Sequence, residues 1–167
     1  MSERSAAPGE LALVESLVNT LDIESGADAL DTADGRARFG LTQDEVAGAR
    51  ELRESLRAAL LAHAGHRPHA HVTPLDDLLA SAPLRVTVDT ADGSAGLAPA
   101  GAARSLLSRV AAAIAGSLVE GTWPRLKACE APTCHWAYYD RSPAGRGRWC
   151  SMQVCGARAK MRRYRAK

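Results

Sequence analysis

Aromatic residues are scarce in this sequence: one Phe, three Trp and three Tyr among 167 residues, or 4%. A core built on rings is excluded. With 46% hydrophobic residues, the interior falls to Leu, Val and Ala, side chains that suit closely packed helices. A long apolar run is also missing. The most apolar uncharged stretch, Val110 to Val119, is ten residues and contains Gly116 and Ser117, against about 20 for a membrane-spanning helix. The first ten residues carry Glu3 and Arg4 and no apolar run, so no signal peptide is expected. These absences predict a soluble, cytoplasmic protein with no membrane partner. Catalytic signatures are lacking as well. Gly93-Ser94-Ala95-Gly96 is not a nucleophile elbow, and no Gly-Lys-Ser/Thr follows it to make a phosphate loop. Asp76 and Asp77 open a short helix, where negative charge is favourable. No enzyme is expected.

Cysteine is present, and it is concentrated. All four cysteines fall in Cys129-x4-Cys134, fifteen residues, then Cys150-x4-Cys155. Two short steps joined by a longer loop are the sequence form of a structural zinc site, each step placing two thiolates on one side of a tetrahedron. Two disulfides or an iron–sulfur cluster would use the same residues. Reduced thiols, expected in the cytoplasm, favour Zn2+. His63, His66, His69 and His71 could hold a second metal. The plainer reading is that His63 finishes a helix and the others sit in a solvated connector.

Charge is unevenly shared. The net +2 splits into +7 over Cys129 to Lys167, from nine Lys or Arg against Glu130 and Asp140, and −5 over Met1 to Ala128. All aromatics but Phe39 also lie near or in the cysteine region. An acidic body with a basic end predicts a polyanion partner at that end.

Periodicity predicts a helix over Glu10 to Leu21 and a loop with little regular structure over Asp22 to Gly40. A capping box, Thr42 to Glu45, opens a long helix to about His63. Val46, Ala49, Leu52, Leu56, Leu60 and His63 line its inner face, and Arg50, Arg53, Glu54 and Arg57 lie largely off it. A short helix capped by Thr73 follows, with Leu75, Leu78 and Leu79 inward. Leu84 to Thr90 reads as a strand, turned at Asp92-Gly93 and returning over Gly96 to Ala98. A second long helix runs from Gly101 to Glu120, with Ala103, Leu106, Leu107, Val110, Ile114 and Leu118 inward, and Gly121 and Pro124 stop it. The last helix has Ala157, Met161 and Tyr164 on one stripe, expected to pack on the metal module. Arg158, Arg162 and Arg165 flank it on one side, and Lys160, Arg163 and Lys167 on the other. The fold class expected is α+β: a mainly helical part, 1–124, with a small β-hairpin, then a four-cysteine finger, 125–167, ending in a basic helix.

Cys129-x4-Cys134, Tyr139-Asp140-Arg141-Ser142, Arg148-Trp149-Cys150-Ser151-Met152 and Cys155-Gly156-Ala157-Arg158-Ala159-Lys160 together resemble the CGNR zinc finger. Leu17-Val18-Asn19-Thr20-Leu21 and the Ala49 to Leu61 helix are similar to the ABATE domain that precedes this finger in bacterial proteins. The resemblance implies a stress-responsive transcription regulator in which Cys129, Cys134, Cys150 and Cys155 bind zinc. It also places Arg148, Arg158 and Lys160 in a DNA-facing region. Where the family motif has Asn, this chain has Ala157. The basic residues expected at DNA are Arg146, Arg148, Arg158, Lys160, Arg162 and Arg163, with the helical part sensing a small-molecule ligand or mediating assembly, for example as a homodimer. The alternatives are a protein-interaction module braced by a purely structural finger, and a small-molecule-binding protein.

Overall fold

Leu11, Val14, Leu17 and Val18 recur at helical spacing, and the chain folds them into α1, Leu11–Val18, with all four buried. The structure, a computed structural model, describes residues 6–101 and 104–166. Ala103, Lys167, Glu3 and Arg4 lie outside the described residues.

The Asp- and Gly-rich stretch after α1 is more ordered than its composition implies. The Asp28 carboxylate accepts from the Leu30 N–H and starts a 3-10 turn, Ala29–Asp31. The Thr32 hydroxyl then accepts from the Gly35 N–H and opens α2, Ala33–Ala37. Two capped turns four residues apart, too short to show a period, replace the expected loop and bury Leu30 and Phe39.

The Thr42–Glu45 capping box forms, with the Glu45 carboxylate accepting from the Thr42 N–H and hydroxyl. It leads into α3, Val46–His63, which ends where expected. A connector then reaches α4, Leu75–Leu79. Thr73 does not cap α4: its hydroxyl donates to Glu51, and its carbonyl accepts from the Ser55 hydroxyl at 2.7 Å. β1, Leu84–Val88, pairs antiparallel with β2, Ala95–Pro99, in the register Val86 opposite Leu97. Gly93, at φ +74°, makes the turn.

The second long helix, α5, Leu106–Val119, begins later than Gly101 because Ser105 caps it through the Ser108 N–H. Leu106, Val110, Ala113, Ile114 and Ser117 are buried, while Leu118, expected inward, is 57% exposed. The stripe has rotated to take Ser117, whose hydroxyl donates to the Ile114 carbonyl. Gly121, at φ +69°, ends the helix.

A turn over Trp123–Arg125 leads into β3, Leu126–Ala128, which pairs antiparallel with β4, Ala137–Tyr139. A π-helical turn, Met152–Gly156, runs directly into α6, Ala157–Arg165. One apolar core joins α1, α3 and α5 to β3 and β4 through Leu126, Ala128 and Ala137, all at most 1% exposed. A smaller cluster of Cys129, Ala131, Tyr138 and Cys155 sits beyond it, with Trp149 packed against it. The mixed α+β class is the one expected from the sequence, with β1–β2 as the expected hairpin and β3–β4 as a second one inside the cysteine module.

The cysteine cluster and the basic helix it anchors

Cys129 follows β3 and Cys134 precedes β4, so the hairpin loop is a cysteine knuckle. The Cys129 N–H donates to the Trp136 carbonyl at 2.9 Å, and the Cys134 N–H donates to the Ala131 carbonyl at 2.9 Å. The other pair is set by Ser151, whose hydroxyl accepts from the Val154 N–H and closes the π-helical turn that carries Cys155. Gly156 packs closely there: a Cβ would lie 3.1 Å from the Met152 sulfur and 3.3 Å from the Trp149 ring, so those side chains would have to shift by a few tenths of an ångström.

The four sulfurs lie within 4.8 Å of one another, and none is in a disulfide. Cys134 and Cys150 are 3.6 Å apart, and Cys150 and Cys155 are 3.7 Å apart. A disulfide needs about 2.05 Å. A single tetrahedral ion with metal–sulfur bonds of about 2.3 Å separates its ligands by about 3.8 Å. The spacing therefore fits one soft-liganded ion and leaves no room for a multi-iron cluster. Hydrogen bonds from the Cys134 and Cys150 thiols hold Cys129 well below the ordinary thiol range. The same sharing with Cys129 keeps the proton on Cys134. Without a cation, four thiolates cannot coexist at this spacing.

Arg57 ties the knuckle to the helices. It was expected off the inner face of α3, yet it is fully buried, and Arg53 is 4% exposed. The Arg57 guanidinium donates to Glu54 at 2.9 Å, to the Val18 carbonyl at 2.9 Å and to the His135 carbonyl at 2.8 Å. His135 has φ +46°, a left-handed conformation that costs about 1 kcal/mol and is held by such partners. Arg53 donates to Thr20 and Asp28. Asn19 bonds Ala137 in both directions, at 3.0 and 2.7 Å, and so continues the β4 edge like a third strand. Of the α3 cations, Arg57 reaches the knuckle at the His135 carbonyl, whereas Arg50 and Arg53 turn to Asp28 before α2. Periodicity cannot show this, since a charged residue beside an apolar stripe ordinarily faces water. Only Asn19 had a signal, within Leu17-Val18-Asn19-Thr20-Leu21.

The loop from Asp140 to Gly147 is built on a second buried pair, also missed. Lys127 and Asp140 are each 4% exposed and 2.9 Å apart, and Lys127 also donates to the Gly145 carbonyl. The Asp140 carboxylate accepts from the Ser142 N–H and hydroxyl and from the Gly147 N–H. Burial pushes the Asp140 carboxyl up. Hydrogen bonds from Ser142, Lys127 and Gly147 outweigh it and hold the group well below the usual carboxylate range. This is the physical content of Tyr139-Asp140-Arg141-Ser142.

The histidines are not merely solvated. His63 bonds the Leu126 carbonyl at 2.7 Å and meets Trp123 edge-on, and burial lowers its pKa. His66 lies 3.7 Å from Glu130, and His69 3.2 Å from Glu54. Among the described residues, the four cysteines are the one group arranged to share an ion.

Of the expected DNA contacts, Arg158, Lys160, Arg162 and Arg163 share α6. Arg146 and Arg148 lie in the loop before Cys150. Arg148 pairs with Glu130, and Arg158 with Glu24 at 3.0 Å. Lys160, Arg162 and Arg163 are exposed. The apolar stripe of α6 does not pack on the metal module: no α6 residue is buried, with Met161 51% and Tyr164 77% exposed. The helix leaves the cluster at Cys155 and points its stripe at solvent. Ala157, where the motif has Asn, is exposed too.

A helical body whose core runs into a four-cysteine knuckle, with a basic helix carried beyond it, defines a small α+β protein with a zinc-finger-type module. Residues 11–121 match the model of ABATE, described as "Putative stress-induced transcription regulator", and residues 125–167 match that of the CGNR zinc finger. The chain belongs to the ABATE family and carries a CGNR zinc finger. No curated protein matches it. No helix among the described residues is long and apolar enough to cross a membrane.

Proposed function

We propose that this protein is a zinc-dependent DNA-binding regulator rather than a catalyst. Cys129, Cys134, Cys150 and Cys155 hold Zn2+, which supplies folding energy and no reaction, since four protein ligands leave no open position. The ion fixes the π-helical turn and hence the direction of α6. Arg158, Lys160, Arg162 and Arg163 then meet phosphates from α6, with Arg146 and Arg148 from the adjoining loop. The part spanning 1–124 senses a signal or mediates assembly. The observation that carries the reading is α6 itself: five cations, no acid and no buried residue in nine residues, starting from a cysteine of the cluster.

Fluorescence anisotropy of the zinc-loaded protein with duplex DNA at two salt concentrations tests this. Affinity should fall steeply with salt, because each neutralised phosphate releases counterions. Arg162→Ala with Arg163→Ala should weaken binding to all sequences alike and lower the salt slope by about 2. Absence of binding at low salt defeats the reading.

A further inference from the structure

Phosphate binding gives the apolar stripe of α6 nothing to do. Met161 and Tyr164 stay in water, in line with Ala157, between Arg158, Arg162 and Arg165 on one flank and Lys160 and Arg163 on the other. A free helix of this kind is the shape of a ligand for an acidic groove. The same molecule has one. A groove of about 430 Å³ runs between the first half of α3, α4 and the start of α5. Leu41, Leu52, Leu78 and Leu107 are among the residues of its apolar floor, and Asp44, Glu45, Glu51 and Asp77 stand on its rim. Among the described residues, no Lys or Arg forms an ion pair with any of these four carboxylates. α6 contributes none of the groove's lining in its own chain.

We propose that α6 of one copy of this chain docks in the acid-rimmed groove of a second copy. Met161 and Tyr164 fill the apolar floor, methionine being able to adapt to an irregular pocket. The flanking cations Lys160, Arg162, Arg163 and Arg165 meet the rim, four positive charges against four negative, while Arg158 keeps Glu24. A nine-residue helix is about 13 Å long, a length a groove between two helices can take. Reciprocal exchange closes a two-fold dimer, and one-way docking propagates. The inference does not rest on DNA binding. If both hold, the two partners compete for one helix, and self-association masks the DNA surface.

Sedimentation velocity of the full, zinc-loaded chain over a concentration series tests it. At low salt the mass should rise with concentration, and at high salt it should return toward the monomer as the charges are screened. A rim variant, Asp44→Lys with Asp77→Lys, and a stripe variant, Met161→Asp with Tyr164→Ser, should each associate at least about tenfold more weakly. All four positions are exposed, so zinc content and helical circular dichroism should stay unchanged. Mixing the two variants should recover one of the two helix–groove contacts and so associate more strongly than either variant alone, because one keeps the helix and the other keeps the groove. A wild type that stays monomeric at low salt overturns the proposal. So does association that survives both variants, which would assign contact to another surface.

Discussion

Arg57 satisfies three acceptors with one planar fork: Glu54, the Val18 carbonyl and the His135 carbonyl. An ammonium also has three donors, but all on one atom, and lacks the planar spread with which the guanidinium reaches acceptors on three separate elements. Arg57→Lys should therefore lower unfolding free energy by about 2 kcal/mol, and Arg57→Met, which leaves two carbonyls without partners, by about 3 kcal/mol. Urea denaturation at neutral pH measures both, and a loss under about 0.5 kcal/mol for Arg57→Met would show the knuckle to be held without it. Asp140 is the second residue of this kind. Its folded pKa lies below the ordinary carboxylate value. Its contribution is therefore complete above the unfolded value of about 3.9 and disappears as pH falls through the folded one. Asp140→Asn should cost about 3 kcal/mol at pH 7, since it leaves Lys127 buried without its partner. The gap between wild type and variant should hold steady down to about pH 5 and narrow below about pH 4. A gap that stayed constant into acid would mean that the carboxylate is not what stabilises the loop.

At the scale of elements, two glycines in helices make opposite claims. In α2, a Cβ on Gly35 would sit 1.8 Å from the Ala29 carbonyl oxygen, a backbone atom that cannot swing away. In α5, Gly116 is exposed and has nothing within 4 Å of the equivalent position. Gly35→Ala should destabilise by about 2 kcal/mol or more, and Gly116→Ala should stabilise by about 0.7 kcal/mol through helix propensity. Thermal unfolding of the pair checks both signs at once. The contrast also shows what was legible. Three long helical segments and the β1–β2 hairpin could be read because each repeats an apolar period over several turns or alternations. α2 could not, because its residues Ala33–Ala37 carry no apolar stripe such as Leu75, Leu78 and Leu79 give the equally short α4, and Thr32 alone caps it, after a 3-10 turn capped by Asp28. The cysteine spacing gave the candidate site directly. The packing of α6 was misread for a physical reason: an apolar stripe on a helix predicts a covered face, and here nothing in the same chain covers it.

In the molecule as a whole, the helical core continues into the two strands that carry the knuckle, and the cysteines form a smaller cluster beyond it. Leu126, Ala128 and Ala137 pack with Leu56, Leu60 and Val110. Asn19, Arg57 and His63 then reach from the helices to carbonyls of the two strands and the knuckle between them. None of these contacts was readable, because they join segments about 60 to 120 residues apart through backbone atoms, which carry no sequence signal. They lead to a prediction that a tethered, independent finger would not obey. Chelation removes the charge that lets four thiolates share one site, so the sulfurs must separate or protonate. The knuckle then loosens, and the His135 carbonyl moves away from Arg57, whose guanidinium has no water to replace it. Metal removal should therefore lower the melting temperature of the helical body and expose amides in the middle of α3 to hydrogen exchange, along with those of β3, β4 and α6. Amide exchange with and without a chelator, followed by mass spectrometry, reads this segment by segment. If α3 keeps its full protection around Arg57 while only 129–166 opens, the helices and the finger are energetically separate and the shared core contributes little. If α3 and the finger open together, metal loading governs the stability of the whole chain, and withdrawal of the ion unfolds the helical body rather than merely releasing a tail.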